Sequence, residues 1–380
     1  AHFDGCKAQN LKLNMARGKP SKLQLDAVSV CTYNATHALN LVIKGLAKDG
    51  GHILYSDMEH NSVRRPVASL CRSRGCTCSV YPTWEGNAER VIASLKRLIR
   101  PDTAMIIATH ASNVANVRLP VREIAALCRE RGIVCIIDAS QSAGHLPLSF
   151  KDIGADAVCM PGHKGLLGPQ GTGILLCGKL PEPLLMGGTG SESIRQDMPE
   201  ELPERLEAGT VNVPGIAGLE AALAYLQCCG IEKIGLEERK LARMCAEKLQ
   251  IMGLRVFLGD HQCGTVSFVP ETDCEYLAQQ LGKRDIAVRA GLHCAPLAHR
   301  SAGTLETGTV RVSFGHDAAP WQTGFLLSAL EEVLSKASAQ YPMFSCPQEN
   351  ICVKGSPRHL KKSSIVRSAH HELYPIWSVC

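Results

Sequence analysis

Short apolar runs punctuate the first half of the chain at 28–33, 52–56, 77–82, 103–110, 133–139, 157–161 and 172–177. Runs of this length, rich in Val, Ile, Leu, Thr and Cys, predict buried β-strands. Between them, 40–48, 88–99 and 121–131 place apolar residues at helical spacing, and Gly132 follows the last where a C-cap is favoured. The alternation predicts an α/β fold with a mostly parallel, seven-stranded sheet covered by helices. A long amphipathic stretch over 214–252 gives way to strands at 254–258 and 264–269, a helix at 274–284, strands at 286–289 and 310–314, and a closing helix at 321–337. This second half predicts a smaller C-terminal α+β domain, so the expected division is 1–213, 214–340 and a tail at 341–380. The tail mixes Pro, Ser, Lys and His with single apolar residues, the composition of a disordered basic extension. No internal repeat is present.

Composition narrows the class. With 380 residues, 45% of them hydrophobic and 20% charged, the chain is long enough for a large core. The net charge of +5 is small and scattered outside the tail, which argues against nucleic acid as a partner and leaves small acidic substrates open. No apolar run is long enough to span a membrane and the first residues lack a secretory layout, so a cytoplasmic protein without a membrane partner is expected. The 18 cysteines would suit a disulfide scaffold in a secreted chain. However, Cys31, Cys135, Cys159 and Cys177 lie inside strand runs, where a thiol acts as a small hydrophobe. Cys71, Cys76 and Cys78 cluster, and Cys228 adjoins Cys229, without the ligand spacing of a zinc site, so no metal is expected.

The densest chemistry lies over 133–176, IVCIIDASQSAGHLPLSFKDIGADAVCMPGHKGLLGPQGTGILL. Asp138 ends one strand there, and His163 and Lys164 follow another. Ligands of open α/β sheets bind off the carboxyl ends of strands, so the acid and the lysine are expected to converge. Taken singly, Lys164 reads as a surface lysine after a turn and Asp138 as a helix cap. NATHALN at 34–40 opens a helix after a strand, either as an ordinary Asn cap or as an anion site at the positive end of the helix dipole. THASNVANV at 109–117 follows the fourth strand and RLEAGTVNVP at 205–214 precedes the long helical stretch. In RAGLHCAPLAH, 289–299, Cys294 sits among Gly, His and Pro rather than in an apolar run, which suits an exposed nucleophile. TVRVSFG at 309–315 carries Arg311, and a guanidinium grips a carboxylate with two parallel hydrogen bonds.

Together these segments resemble the fold-type I, class V aminotransferase-like family, in its cysteine desulfurase and selenocysteine lyase branch, over about 28–337. The resemblance implies pyridoxal 5'-phosphate held as a Schiff base on Lys164, Asp138 protonating the ring nitrogen and Gln141 donating to the phenolic oxygen. It assigns the phosphate to Ala35, Thr36 and His163, with Thr210 reaching across a homodimer interface to the neighbouring copy's phosphate. By the same resemblance His110 stacks on the ring with a part in proton transfer, while Asn113 and Arg311 bind the substrate carboxylate. Cys294 takes sulfur from L-cysteine as a persulfide, alanine leaves, and a sulfur-acceptor protein collects the sulfur. The family begins with a strand and an Asn-Ala-Ala segment for which 1–24 leaves little room, so an N-terminal part of the site is expected to be missing. His37 stands where Glu is common, Pro161 replaces a frequent hydroxyl residue, and GHDAAP after Arg311 departs from the usual continuation. Three rival expectations remain: a selenocysteine lyase, another class V enzyme that needs no cysteine, and an inactive truncated homologue.

Overall fold

The computed structural model describes residues 28–83, 87–115, 117–257, 259 and 263–340. The expectations for the missing N-terminal part and for the tail fall outside them. The described residues form two compact units. The first runs to Ser112 and from Val117 to Glu232, and the second comprises Asn113–Asn116 and the chain from Lys233 onward. The sequence puts the boundary at 213/214, whereas the helix beginning there belongs to the first unit.

In the first unit the order is β1 (Val28–Thr32), α1 (Ala35–Gly45), β2 (His52–Ser56), α2 (Asn61–Ser73), β3 (Thr77–Tyr81), α3 (Ala88–Leu98), β4 (Thr103–Thr109), α4 (Val121–Arg131), β5 (Val134–Asp138), α5 (Phe150–Ile153), β6 (Ala157–Pro161), β7 (Gly173–Cys177) and α6 (Val213–Cys229). The seven strands make one sheet in the order β1-β7-β6-β5-β4-β2-β3. Pairing is parallel from β6 through β3, and β7 runs antiparallel to both β6 and β1. Strands β2, β5 and β6 are buried along their whole length, as expected of a sheet covered on both faces. Gly132 caps α4 in the left-handed conformation (φ 65°).

Helix α1 begins five residues before the apolar spacing suggests, because Asn34 accepts the His37 amide hydrogen and so starts the first turn. Helix α2 was not expected. Pro66 and the pair Arg64 and Arg65 interrupt its pattern, yet Val63, Val67 and Leu70 bury one face. The long stretch after 214 is two helices, broken at Gly230 (φ 85°).

The second unit comprises α7 (Ile231–Ile251), β8 (Arg255–Phe257), β9 (Thr265–Val269), α8 (Cys274–Gly282), β10 (Arg289–Gly291), α9 (Pro296–Ser301), β11 (Thr309–Ser313) and α10 (Pro320–Gln340). Its antiparallel sheet, β10-β11-β9-β8, packs Val266, Phe268, Val310 and Val312 against Leu249, Leu277, Leu281 and Leu330. The strand expected at 286–289 starts only at Arg289, since pairing with β11 aligns Arg289 with Arg311. Among the described residues no helix is long and apolar enough to cross a membrane.

Ile106 at the centre of β4 is fully buried. Replacing it with Ala removes packed methylenes that the sheet cannot reclaim, with an expected loss of about 2 to 5 kcal/mol. A urea midpoint unchanged from the parent chain would contradict this.

Candidate active site

Two antiparallel steps on either side of β7 leave β1 parallel to β6, so the carboxyl ends of β1, β6, β5, β4 and β2 all open onto one edge of the first sheet. The residues singled out in the first unit lie just beyond those ends. After β1, Asn34 caps α1, Ala35 is buried and Thr36 is exposed at the start of the helix. After β4 comes His110, Asp138 ends β5 with Gln141 three residues on, and after β6 come His163 and Lys164, both half-buried. Thr210 stands exposed on the loop ahead of α6.

Glycine brings the loops after β5 and β6 into contact. Gly144 has φ 83°, and a Cβ there would fall 1.8 Å from the Gly165 carbonyl oxygen. A Cβ on Gly165 would meet the Ala143 carbonyl oxygen at 2.3 Å. Bare backbone at both positions lets the turn after Asp138 press on the lysine loop. That loop closes on itself through Leu167 N–H to the Lys164 carbonyl (2.8 Å) and Gly168 N–H to the Gly162 carbonyl (2.8 Å).

Asp138 is buried, and one of its oxygens accepts the Ser140 amide at 2.9 Å. His110 donates its amide to the Asp138 carbonyl (2.8 Å), which ties the ends of β4 and β5. The His110 ring is 3% exposed, and its Nε2 accepts from Arg118 Nε at 3.3 Å. Burial first, then the Arg118 and Arg122 charges, push the His110 pKa down to about 4, so the ring is neutral with its proton on Nδ1. Burial also lowers His163, with Lys164 adding to it.

Two further groups emerge here that sequence reading passed over. His60 Nδ1 pairs with the Ser62 hydroxyl (2.7 Å), which pairs with Thr36 Oγ1 (2.9 Å), so the α2 cap and the α1 start share one chain of hydrogen bonds. Glu59, beside His60, is wholly buried. Its burial had no signal in the sequence, because the helix that follows it is itself hidden there.

In the second unit Arg311 on β11 is 5% exposed and donates from Nη1 to the Asn113 carbonyl at 3.3 Å. Asn113 Nδ2 donates to the His293 carbonyl at 2.7 Å, and His293 Nε2 pairs with Thr309 Oγ1 at 2.9 Å. Burial, followed by the Arg311 charge, drives the His293 pKa down to about 3. His293 and Cys294 are both left-handed (φ 47° and 57°), a conformation that costs a non-glycine residue about 1 to 3 kcal/mol. Cys294 is exposed, with Arg289 Nη2 at 3.8 Å from its sulfur. Arg289 was not singled out in the sequence, and its register opposite Arg311 is visible only once β10 and β11 pair.

A crossed α/β sheet with a lysine, an acid and a helix start on its carboxyl edge defines a cofactor-enzyme scaffold, and the chain belongs to the Aminotransferase class-V family, which it matches over residues 26–320. It is 34% identical over 318 residues to proteins named probable cysteine desulfurase from Pyrococcus abyssi and Methanothermobacter thermautotrophicus. In both cases the match covers 80% of this chain and 78% of the relative. Among solved structures, the apo cysteine desulfurase of Thermococcus onnurineus superposes with a TM-score of 0.73 at 30% identity, over 81% of this chain and 79% of that one. The cysteine desulfurase CsdA (S-sulfonic acid) of Escherichia coli gives 0.74 at 27% identity, over the same shares. The observed architecture agrees with the fold-type I expectation.

His110 provides a test of the electrostatics. Its folded pKa lies below the ordinary 6.5, so the unfolded chain binds the proton more readily and stability is lost as pH falls from about 6.5 through about 4. The residue's share of that loss is roughly 3 kcal/mol. His110→Gln, which keeps an acceptor for Arg118, should flatten the decline in urea midpoint over this range; an unchanged slope would refute the assignment.

Proposed function

We propose that the chain is a pyridoxal-phosphate-dependent cysteine desulfurase that works as a homodimer. The observation that carries this reading is the shared strand-end edge holding Asp138, Lys164 and the start of α1, in a chain 34% identical to proteins named for that activity. A pyridine ring with a phosphate arm asks for a buried carboxylate, an amine and anion donors. Asp138 at 3% exposure, Lys164, and the amides and Thr36 hydroxyl at the α1 start meet those needs. The buried Nδ1 atoms of His110 and His163 meet no protein partner, which suits polar groups that serve a ligand.

On this reading Lys164 would carry the cofactor, Asp138 would serve its ring nitrogen and Gln141 its phenolic oxygen. Ala35, Thr36 and His163 would hold the phosphate together with Thr210 of the second copy, and His110 would pack on the ring. Bound there, the cofactor supplies an electron sink for negative charge developing at the substrate α-carbon. The Lys164 amine moves the α-proton. Arg311, held through the Asn113 carbonyl, grips the substrate carboxylate together with Asn113.

Cys294 attacks the sulfur of L-cysteine. An S–S bond forms as the substrate Cβ–S bond breaks, and the electron pair stays on the carbon, which takes up a proton and leaves as alanine. Net, one cysteine and one thiol become alanine and a persulfide, with the sulfur oxidised and the carbon reduced. Arg289, whose Nη2 lies 3.8 Å from the Cys294 sulfur, helps to orient it. An acceptor thiol on a partner protein then collects the outer sulfur by exchange.

The dimer is supported by α6, whose single charged residue is Glu220 and which leaves Val213, Leu223 and Tyr225 exposed. Exposed apolar side chains on a helix with a single charge suit burial against a second copy.

The deciding experiment pairs the visible absorption of the purified protein with alanine and sulfide assays after L-cysteine is added. Cys294→Ala should keep the absorption band and lose alanine formation, and Lys164→Ala should lose the band. If Cys294→Ala also abolished the band, the nucleophile assignment would fall.

A further inference from the structure

Glu59 lies on the loop between β2 and α2 and is wholly buried. Strand β2 pairs with β4 only as far as Tyr55 and Ile107, after which the chain turns and Asp57 N–H bonds to the Tyr81 carbonyl. The Thr109 amide at the end of β4 is therefore left without an acceptor on β2. Glu59 Oε1 takes it at 2.7 Å and accepts the Ser56 hydroxyl on the same oxygen. One side chain thus closes the gap where the two strands part.

Both ends of this strut lead to groups on the strand-end edge. On one side the next residue, His60, accepts the Ser62 amide (3.1 Å) and enters the hydroxyl chain that reaches Thr36. On the other, the residue after Thr109 is His110, bonded through its amide to the Asp138 carbonyl. The second oxygen, Oε2, is buried and meets no partner. A charged carboxylate with one bare buried oxygen is unfavourable, whereas a neutral acid tolerates the position. The Asp138 charge acts on Glu59, Glu59 in turn acts on the buried Tyr81, and the chief influences on Glu59 include no cation. Burial foremost, opposed by the Ser56 hydrogen bond and reinforced by Asp138, raises its pKa to about 8.

We propose that Glu59 is a positioning residue: as a neutral carboxylic acid it fixes the loop bearing His60 and the strand end bearing His110, and through them the pocket that receives the cofactor. This rests on the pyridoxal phosphate reading given above. Its role requires an acceptor oxygen on a neutral group, not a charge.

The test is titration of the cofactor-free full chain with pyridoxal phosphate, followed by visible absorption, together with the pH midpoint of the absorbing band. Glu59→Gln keeps the acceptor and the neutral state and should bind within about twofold of the parent, with the same midpoint. Glu59→Ala removes both hydrogen bonds and should weaken binding about tenfold or more and shift the midpoint. Should Glu59→Ala fail to fold, Ser56→Ala, which removes one donor, should weaken binding about threefold on a folded chain. Parental affinity and midpoint in Glu59→Ala, or in Ser56→Ala where the former does not fold, would overturn the proposal. So would a Glu59→Gln variant as impaired as Glu59→Ala, since that outcome means the charge matters. A parent chain that takes up no pyridoxal phosphate at all overturns the cofactor reading itself, and this inference with it.

Discussion

Strand β7 runs against both of its neighbours, and the two reversals cancel. With one reversal instead of two, β1 would run against β6 and end on the opposite edge of the sheet, and the start of α1 would lie away from Asp138 and Lys164. The lysine loop depends on the same region, since β6 and β7 are joined by the segment that carries Lys164, closed by Gly162 and Gly168. The proposed chemistry, which draws on four separate stretches of chain, therefore rests on one feature of backbone pairing. The apolar residues of β5, β6 and β7 matter here chiefly because they make that pairing stable in the interior.

Around this frame the site is organised by polar groups that finish what the strands leave undone. At the ends of β2, β4 and β5 the ladder stops, and side chains or single backbone contacts take over: Glu59 for Thr109, the Asp138 carbonyl for His110, and the Asp138 carboxylate for Ser140. Buried backbone donors need partners, so the fold by itself constrains these residues. In the second unit the same logic binds Asn113, His293, Thr309 and Arg311 into one connected set.

Much of the architecture was legible in the sequence because strands leave a local signature. Strands β2 and β6 and helix α4 have the bounds that apolar spacing suggests, and Gly132 closes α4 as its position implies. Helix α2 was hidden because Pro66 and two adjacent arginines blur a periodicity that only its buried face, Val63, Val67 and Leu70, preserves. Asp138 and Lys164 were readable as strand-end residues. The links from Glu59 to Thr109, from Arg289 to Cys294 and from Thr36 through Ser62 to His60 were not, because they depend on which side chains point inward and on how loops far apart in sequence come together.

The pair of left-handed residues at 293 and 294 carries a further meaning. Erase every side chain from the second unit, and the backbone would still single out this spot among the described residues, since Asp285 is isolated in that conformation while these two are adjacent. Glycine would rest there at least cost, so a cysteine in that seat is held against the grain of its own backbone. The proposed sulfur chemistry and the strained backbone thus fall on the same spot, and the torsion angles pick it out without reference to the sulfur.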